Sequence, residues 1–406
     1  MTYDTDILIA GGGLNGLSLA LALRSGGFSV TVVDPVSTNT RKSNDFDGRS
    51  YALAIASQRV LSTLGIWERL AEVQPIQGIK VTDGRAGEAP SPLMLAFDHA
   101  EIEEGPMGFM VQDRHLRPAL LDTAKHQRVE QIEGDSVADF KADASGVTVT
   151  LGSGKSLRAG LIVGCDGKTS GVARTAGIKR TGWDYPQTAL VCAIAHEKPH
   201  SGIAHQYFMP AGPLAILPLT ENRASIVWTE RNGRAEAIQA LDDTRYLAEL
   251  KPRFGTFLGE IELAGTRFTY PLRLSLTESF VAQRVALVGD AAHVVHPIAG
   301  QGLNAGLKDI AALAEVLADA KRRGEDIGRD DVLARYEQWR RFDTAALAIA
   351  TDGFNRLFSN DNPFLRLVRD VGLGVTNALP GLRRGLIREA AGLTGDLPRL
   401  ARGLPL

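Results

Sequence analysis

Three glycine-centred segments, far apart in the chain, carry residue types suited to holding a nucleotide. They are Gly11-Gly12-Gly13-Leu14-Asn15-Gly16, Gly164-Cys165-Asp166-Gly167, and Gly289-Asp290-Ala291-Ala292-His293 running on to Pro297. In the first, Gly11, Gly13 and Gly16 keep the Gly-x-Gly-x-x-Gly spacing, which allows a tight turn, close backbone approach to a pyrophosphate, and close packing of a helix on a strand. The free N–H groups at the start of that helix, around Leu14 and Asn15, suit phosphate charge. Asp34 falls 18 residues beyond Gly16, at a strand end. There a carboxylate can accept hydrogen bonds from both ribose hydroxyls of an unphosphorylated adenosine. The plain alternative is a structural turn with a solvated Asp, but strand, turn, helix and acid arriving in order favour a nucleotide.

Up to this point a nicotinamide and a flavin dinucleotide fit equally. The third segment separates them. Asp290 follows an apolar run and precedes a loop, where a carboxylate could bind a polyol, and FAD has a ribityl chain where NAD has none. Pro297, Gly300, Gln301 and Gly302 let backbone pass close to a flat ring. The helix that begins there, with Leu303 and Asn304 in its first turn, aims its positive end at the negative charge of a reduced flavin. Pro297, Gly300 and Gln301 are therefore the residues expected nearest the reacting ring. An ordinary strand-loop-helix with a capping Asp is the structural alternative. His293 and His296 stand three apart without a third ligand cluster, so no metal site is expected, and His293 is expected to order the flavin loop.

The elements that must position these residues follow from periodicity. Asp6 to Ala10 is an apolar run suited to a strand buried on both faces. Leu17 to Leu23 read as a helix ended by Gly26-Gly27, and Ser29 to Val33 as the second strand. Helices are expected over Ser57 to Leu70 and Arg114 to Gln127, with a Gly/Pro-rich stretch, Pro75 to Pro106, between them. Residues 137–164 have a hairpin pattern, and Ala189 to Ala195, Pro213 to Leu219 and Ala224 to Thr229 read as strands of a separate antiparallel sheet. Arg284 to Val288 is one more buried strand, and a long helix and further helical chain follow.

The bulk composition narrows the function classes. A chain of 406 residues with 44% hydrophobic and 23% charged residues is ordinary for a soluble globular protein of two or three domains. A net charge of -2 gives no general attraction for nucleic acid. Cys165 and Cys192 stand alone, so neither a disulfide framework nor a structural zinc is suggested, and a reducing cytoplasm fits. Asp4 and Asp6 precede the first apolar run, unlike a signal peptide. No stretch reaches the roughly 18–20 apolar residues of a membrane span.

Gly-x-Gly-x-x-Gly at the start, Gly164-Cys-Asp-Gly-Lys-Thr-Ser-Gly-Val-Ala-Arg174 in the middle and Gly289-Asp-Ala-Ala-His-x-x-x-Pro297 late resemble the class A FAD monooxygenases with the para-hydroxybenzoate hydroxylase fold. Within that group, Asp47-Gly-Arg-Ser-Tyr-Ala-Leu53 and the string His296 to Asp309 resemble the ubiquinone-biosynthesis hydroxylases. The resemblance spans nearly the whole chain. It implies an α/β protein with a Rossmann-like FAD-binding domain of the GR2 type, an antiparallel-sheet substrate domain and C-terminal helices. The implied boundaries are 1–74, 107–182 and 273–345 for the FAD domain, 75–106 and 183–272 for the substrate domain, and 346–406 for the helical region.

By the same resemblance Arg49 reaches the FAD pyrophosphate, Gln112 the ribityl region and Val137 the adenine. Asp166 supports FAD or a nicotinamide donor, Asp290 holds the ribityl hydroxyls, and Pro297 with Gly300 to Asn304 line the isoalloxazine. Arg49 as a surface arginine and Gln112 as a helix-start polar residue are the alternatives. The implied reaction is hydroxylation of a polyprenylated ubiquinone precursor by a flavin C4a-hydroperoxide, with dioxygen as co-substrate and NAD(P)H or a ferredoxin-type protein as electron donor. Other ubiquinone-pathway enzymes are implied as partners. A small soluble phenol as substrate, or a non-catalytic lipid carrier or scaffold, are the competing readings. No catalytic base stands out: Tyr207, Tyr270 and His205 fall in the substrate domain, where packed or surface roles are commoner.

From Pro363 onward Arg366, Arg369, Arg383, Arg384, Arg388, Arg399 and Arg402 face three acids, Asp370, Glu389 and Asp396, among many leucines. Basic plus apolar suits peripheral contact with the inner membrane face, and equally suits a helical layer packed on the fold or on a second copy.

Overall fold

The computed structural model describes residues 3–41, 45–88, 94–296, 300–359, 374 and 376–406. A parallel sheet runs Val285–Leu287, Ser156–Gly164, Thr5–Ala10, Val30–Asp34, Glu130–Glu133. Ile7 pairs with Leu161 and Ile9 with both Val163 and Val32. These side chains are at most 1% exposed. Burial on both faces is why these strands read as continuous apolar runs rather than as alternation. Helix Leu14–Ser25, with Leu17 and Leu19 to Leu23 buried, packs on helix Gln301–Arg322 and on that sheet.

The second sheet is ordered His293–Val294, Ile261–Thr277, Arg180–His196, Arg223–Arg231, Gly212–Leu219, Ile203–Met209, Gly78–Asp83, Leu95–Asp98. The Gly/Pro-rich stretch thus supplies two strands of this sheet. One face carries Leu190, Cys192, Ile194, Tyr207, Ile216 and Trp228 beneath helices Asn232–Gln239 and Asp243–Phe254. The other face, with Ala189, Ala193 and Leu219, turns toward the strand Ser50–Leu53 and the segment around Val295.

Several elements depart from expectation. The helix expected over Ser57 to Leu70 covers Ile55–Thr63 and stops, because Gly65 takes φ +72° and a separate short turn, Trp67–Arg69, follows. The strand expected from Ala189 is 17 residues long, Arg180–His196, and pairs with an equally long strand, Ile261–Thr277, that periodicity did not announce. Pro271 and a mixture of exposed and half-buried positions obscure alternation there. At the C-terminus helix Pro380–Ala390 packs through Ile387, and Leu400 and Ala401 join the core of the nucleotide unit. Arg383 pairs with Glu101 and Arg388 with Glu104, so part of the local positive excess is spent inside the fold. Residues 360–373, with Arg366 and Arg369, lie outside the described residues. Among the described residues no helix is long and apolar enough to cross a membrane.

Candidate functional site

The three glycine segments meet at the C-terminal edge of the parallel sheet. Gly11 has φ +100°, and a Cβ there would collide with the carbonyl of Cys165. A Cβ on Gly16 would strike the Gly11 carbonyl, so helix Leu14–Ser25 can close onto the turn only with glycine at this position. The Asn15 side chain lies against the third segment: a Cβ on Gly306 would come 2.6 Å from Asn15 Oδ1, and one on Gly289 would collide with the Asn15 amide nitrogen. Sequence spacing selected these glycines, but not the atoms they make room for.

Two other glycines face open space. Among the described residues, and apart from the adjoining backbone, nothing lies within 4 Å of a Cβ built on Gly13 or on Gly302. Neither helix that starts at these points has a side-chain cap among the described residues, and the positive dipole end of each faces the space beside these glycines. Gly300, at φ +65°, turns the chain into the second helix, whose first turn contains no acidic residue. One helix start suits a pyrophosphate and the other an electron-rich ring, which is the demand of FAD. Gly13→Asp is expected to separate cofactor from fold. Gly13 sits at φ -69°, ψ -170°, accessible to any residue, and Asp is a good N-cap. The apoprotein should melt no lower than wild type, while FAD affinity, read by flavin fluorescence, falls at least about tenfold from charge repulsion. Unchanged affinity would place the pyrophosphate elsewhere.

Around this cradle Asp34 ends its strand with Oδ2 accepting from the Gly12 N–H at 2.6 Å and Oδ1 from the Val36 N–H at 2.7 Å. Asp290 stands on the turn Gly289–Ala291 and is open to solvent, yet dense cleft walls raise its carboxyl pKa by desolvation, against His293, Arg180 and Lys168. Arg180 donates to the carbonyls of Asp290 and Ala291, at 2.8 and 3.0 Å. Asp166 Oδ2 accepts from the Val172 N–H at 3.0 Å, and its Oδ1 is buried without a partner among the described residues.

Other expected cofactor residues are already engaged by protein. Arg49 donates from Nε to Asp47 at 2.7 Å, stands 3.6 Å from Asp113, and lies 5.9 Å from the centre of the Phe268 ring, half-exposed. Gln112 is buried, accepting from Arg114 Nε at 2.7 Å and reaching Thr220 at 3.3 Å. Val137 begins the strand Val137–Asp143 opposite Leu151, partly buried against the nucleotide core. Asn304 accepts from the Ala54 N–H and the Ser57 hydroxyl and donates to the carbonyls of Ala52 and Gly300, so its amide clamps the helix start to the strand Ser50–Leu53. Leu303 packs on the core. Gln301 opens the helix, and Pro297 lies outside the described residues.

Beneath the turn Gly289–Ala291 lies a buried cluster around a carboxylate, of which sequence reasoning named only part. Asp309, 0% exposed, accepts from the Gly289 N–H at 3.0 Å, contacts His293 Nε2 at 2.5 Å, and accepts from Arg340 Nε at 2.8 Å. Burial pushes its carboxyl up, but His293 and Arg340 together hold it below the ordinary range. His293 thus orders the turn that carries Asp290. Arg340, which supplies the balancing charge, comes from helix Asp330–Phe358. His205 and Tyr207 belong to the second sheet's helix-covered side: His205 packs on Phe257, and Tyr207 joins the apolar cluster there. Burial lowers the His205 pKa to about 4 and raises that of Tyr207 to about 12. Tyr270 is 46% exposed on the long strand.

A Rossmann-type cradle, a second uncapped helix start beside open space and an adjoining antiparallel sheet are the parts that a flavin-dependent hydroxylase requires. A family model described as an FAD binding domain matches residues 4–350. The chain is 44% identical over 406 residues to the ubiquinone hydroxylase UbiL of Rhodospirillum rubrum, covering 99% of this chain and 93% of that one. It is 33% identical over 399 residues to the 3-demethoxyubiquinol 3-hydroxylase of Escherichia coli, covering 96% of this chain and 99% of that one. Among solved structures, p-nitrophenol 4-monooxygenase PnpA from Pseudomonas putida superposes with a TM-score of 0.78 at 19% identity, over 98% of this chain and 100% of that one. The chain belongs to the FAD-dependent aromatic monooxygenases, in the group of ubiquinone hydroxylases.

Proposed function

We propose that the protein inserts one atom of dioxygen into the aromatic ring of a polyprenylated ubiquinone precursor, at a membrane surface. The observation that carries this reading is the meeting of three distant glycine segments in a dinucleotide cradle beside an apolar sheet face. Bound FAD supplies the redox chemistry, taking electrons from NAD(P)H or a ferredoxin-type protein and activating oxygen. The chain's residues bind and orient. Asp34 takes the adenosine ribose, the start of helix Leu14–Ser25 the pyrophosphate, and Asp290 the ribityl chain. The start of helix Gln301–Arg322 supports negative charge on the reduced ring. The sheet face bearing the partly buried, paired Val191 and Val227 offers an apolar wall for the substrate ring, where excluded water cannot divert the reaction.

Support for the lipid surface comes from the C-terminal helices. Phe342, Ala346, Ile349 and Ala350 form one exposed stripe on helix Asp330–Phe358, with Phe342 at 78% and Ile349 at 74% exposure. Leu379, Leu382 and Leu386 are exposed along helix Pro380–Ala390, beside Arg384. An apolar stripe with basic neighbours is what a bilayer interface takes. Purified enzyme given NAD(P)H and a prenylated phenolic precursor in vesicles should yield a product one oxygen atom heavier. The variant carrying Phe342→Asp and Ile349→Asp should lose that activity while still acting on a short-chain analogue. Stoichiometric turnover of a water-soluble phenol, with none of the prenylated precursor, would assign the smaller substrate instead.

A further inference from the structure

We propose that Arg41 is a further cofactor-binding residue, which grips the adenosine half of FAD opposite Asp34. The inference rests on the FAD reading of the cradle. Arg41 ends the short helix Thr38–Arg41, whose start is tied to the parallel sheet by Glu133: Oε2 accepts from the Thr38 N–H at 2.9 Å, and Oε1 from the Thr38 hydroxyl. From that anchored position the guanidinium turns inward, leaving a side chain only 8% exposed.

Its Nη1 donates to the Gly12 carbonyl and lies 3.7 Å from Asp34 Oδ2, so the cation is seated on the nucleotide turn itself. Nε and Nη2 are buried and find no acceptor among the described residues. A buried guanidinium with unfilled donors is costly unless a ligand brings acceptor oxygens. Asp34 offers the converse chemistry. Each of its oxygens accepts one backbone N–H and keeps a lone pair. A ribose supplies hydroxyl donors to the carboxylate, and the attached phosphate and ribose oxygens supply acceptors to the guanidinium. The pair therefore matches both halves of an adenosine phosphate, and Arg41 offsets the repulsion that a bare Asp34 would exert on the pyrophosphate.

The test uses full-length apoprotein with Arg41→Gln and Arg41→Lys, titrated with FAD, ADP and FMN, the last lacking the adenosine half. Arg41→Gln should weaken FAD and ADP by about tenfold to a hundredfold, the scale of a charged hydrogen bond. FMN affinity should stay as in wild type, and Arg41→Lys should fall between. Circular dichroism of each apoprotein checks the fold. FAD and ADP affinities within about twofold of wild type in both variants would overturn the proposal. Equal losses of FAD and FMN would do so as well, marking Arg41 as structural. So would a raised KM for NADPH with FAD binding intact, marking it as part of the electron donor's site. Wild-type apoprotein that binds neither FAD nor ADP would instead remove the cofactor reading on which the proposal stands.

Discussion

Arg340→Ala is expected to lower the unfolding free energy by about 3–5 kcal/mol and to release flavin from the protein that remains folded. Arg340 is 3% exposed and Asp309 wholly buried, so truncating the arginine leaves a carboxylate that water cannot reach, with the His293 ring as its remaining side-chain partner. The same carboxylate holds the Gly289 N–H, and through it the turn that carries Asp290, the residue proposed to take the ribityl chain. Stability and cofactor affinity should therefore fall together. Urea unfolding with parallel fluorescence titration of FAD measures both. Replacing both partners, as Asp309→Asn with Arg340→Met, should recover part of the loss, because no isolated charge is then buried and Asn can still accept from Gly289. A loss below about 1 kcal/mol for the single change would mean the cluster is solvated in ways its geometry does not suggest.

The second large effect concerns acid. His296 is fully buried, its ring packed edge-on to Tyr185 at 5.3 Å, and neither ring nitrogen has a hydrogen-bond partner among the described residues. Burial lowers its pKa to about 4, with Asp352 opposing weakly. Between its unfolded value of 6.5 and about 4, the unfolded chain takes up a proton that the native one refuses. Stability is thus complete above pH 6.5 and drains away as pH falls toward 4. The loss attributable to this one side chain is about 3 kcal/mol. His205 pulls the same way. Denaturant melts from pH 7 to pH 4 should show His296→Leu with the flatter profile, and parallel profiles for variant and wild type would assign the acid sensitivity to other groups.

What was readable before folding follows from the kind of constraint each residue obeys. Gly11 and Gly16 were legible because backbone at φ +100° and a carbonyl in direct contact exclude every other side chain, and such exclusions leave a fixed spacing in one dimension. Asp34 was legible because a strand end fixes its place. Arg340 was not. It lies 31 residues from Asp309 on an amphipathic helix rich in Arg and Asp, where a buried charge and a solvated one look alike until the partner helix is docked. The clamp role of Asn304 was hidden for the same reason, since its acceptors Ala52 and Gly300 and donors Ala54 and Ser57 come from two regions of the chain. The 17-residue strand Ile261–Thr277 escaped notice because its pairing with Arg180–His196, not its own alternation, holds it extended.

That paired ribbon ties chemistry to geometry over a distance. At about 3.3 Å per residue each strand is roughly 55 Å of unbroken chain, leaving the nucleotide unit at Arg180 and Thr277 and ending beneath the far helices. Its pairing slips at two places, between Asp184 and Thr188 and between Val191 and Ala193. Irregular steps of this kind re-aim a sheet locally. One extra or missing residue at the first slip would re-aim the far part of the second sheet relative to the parallel one without altering any residue of the glycine cradle.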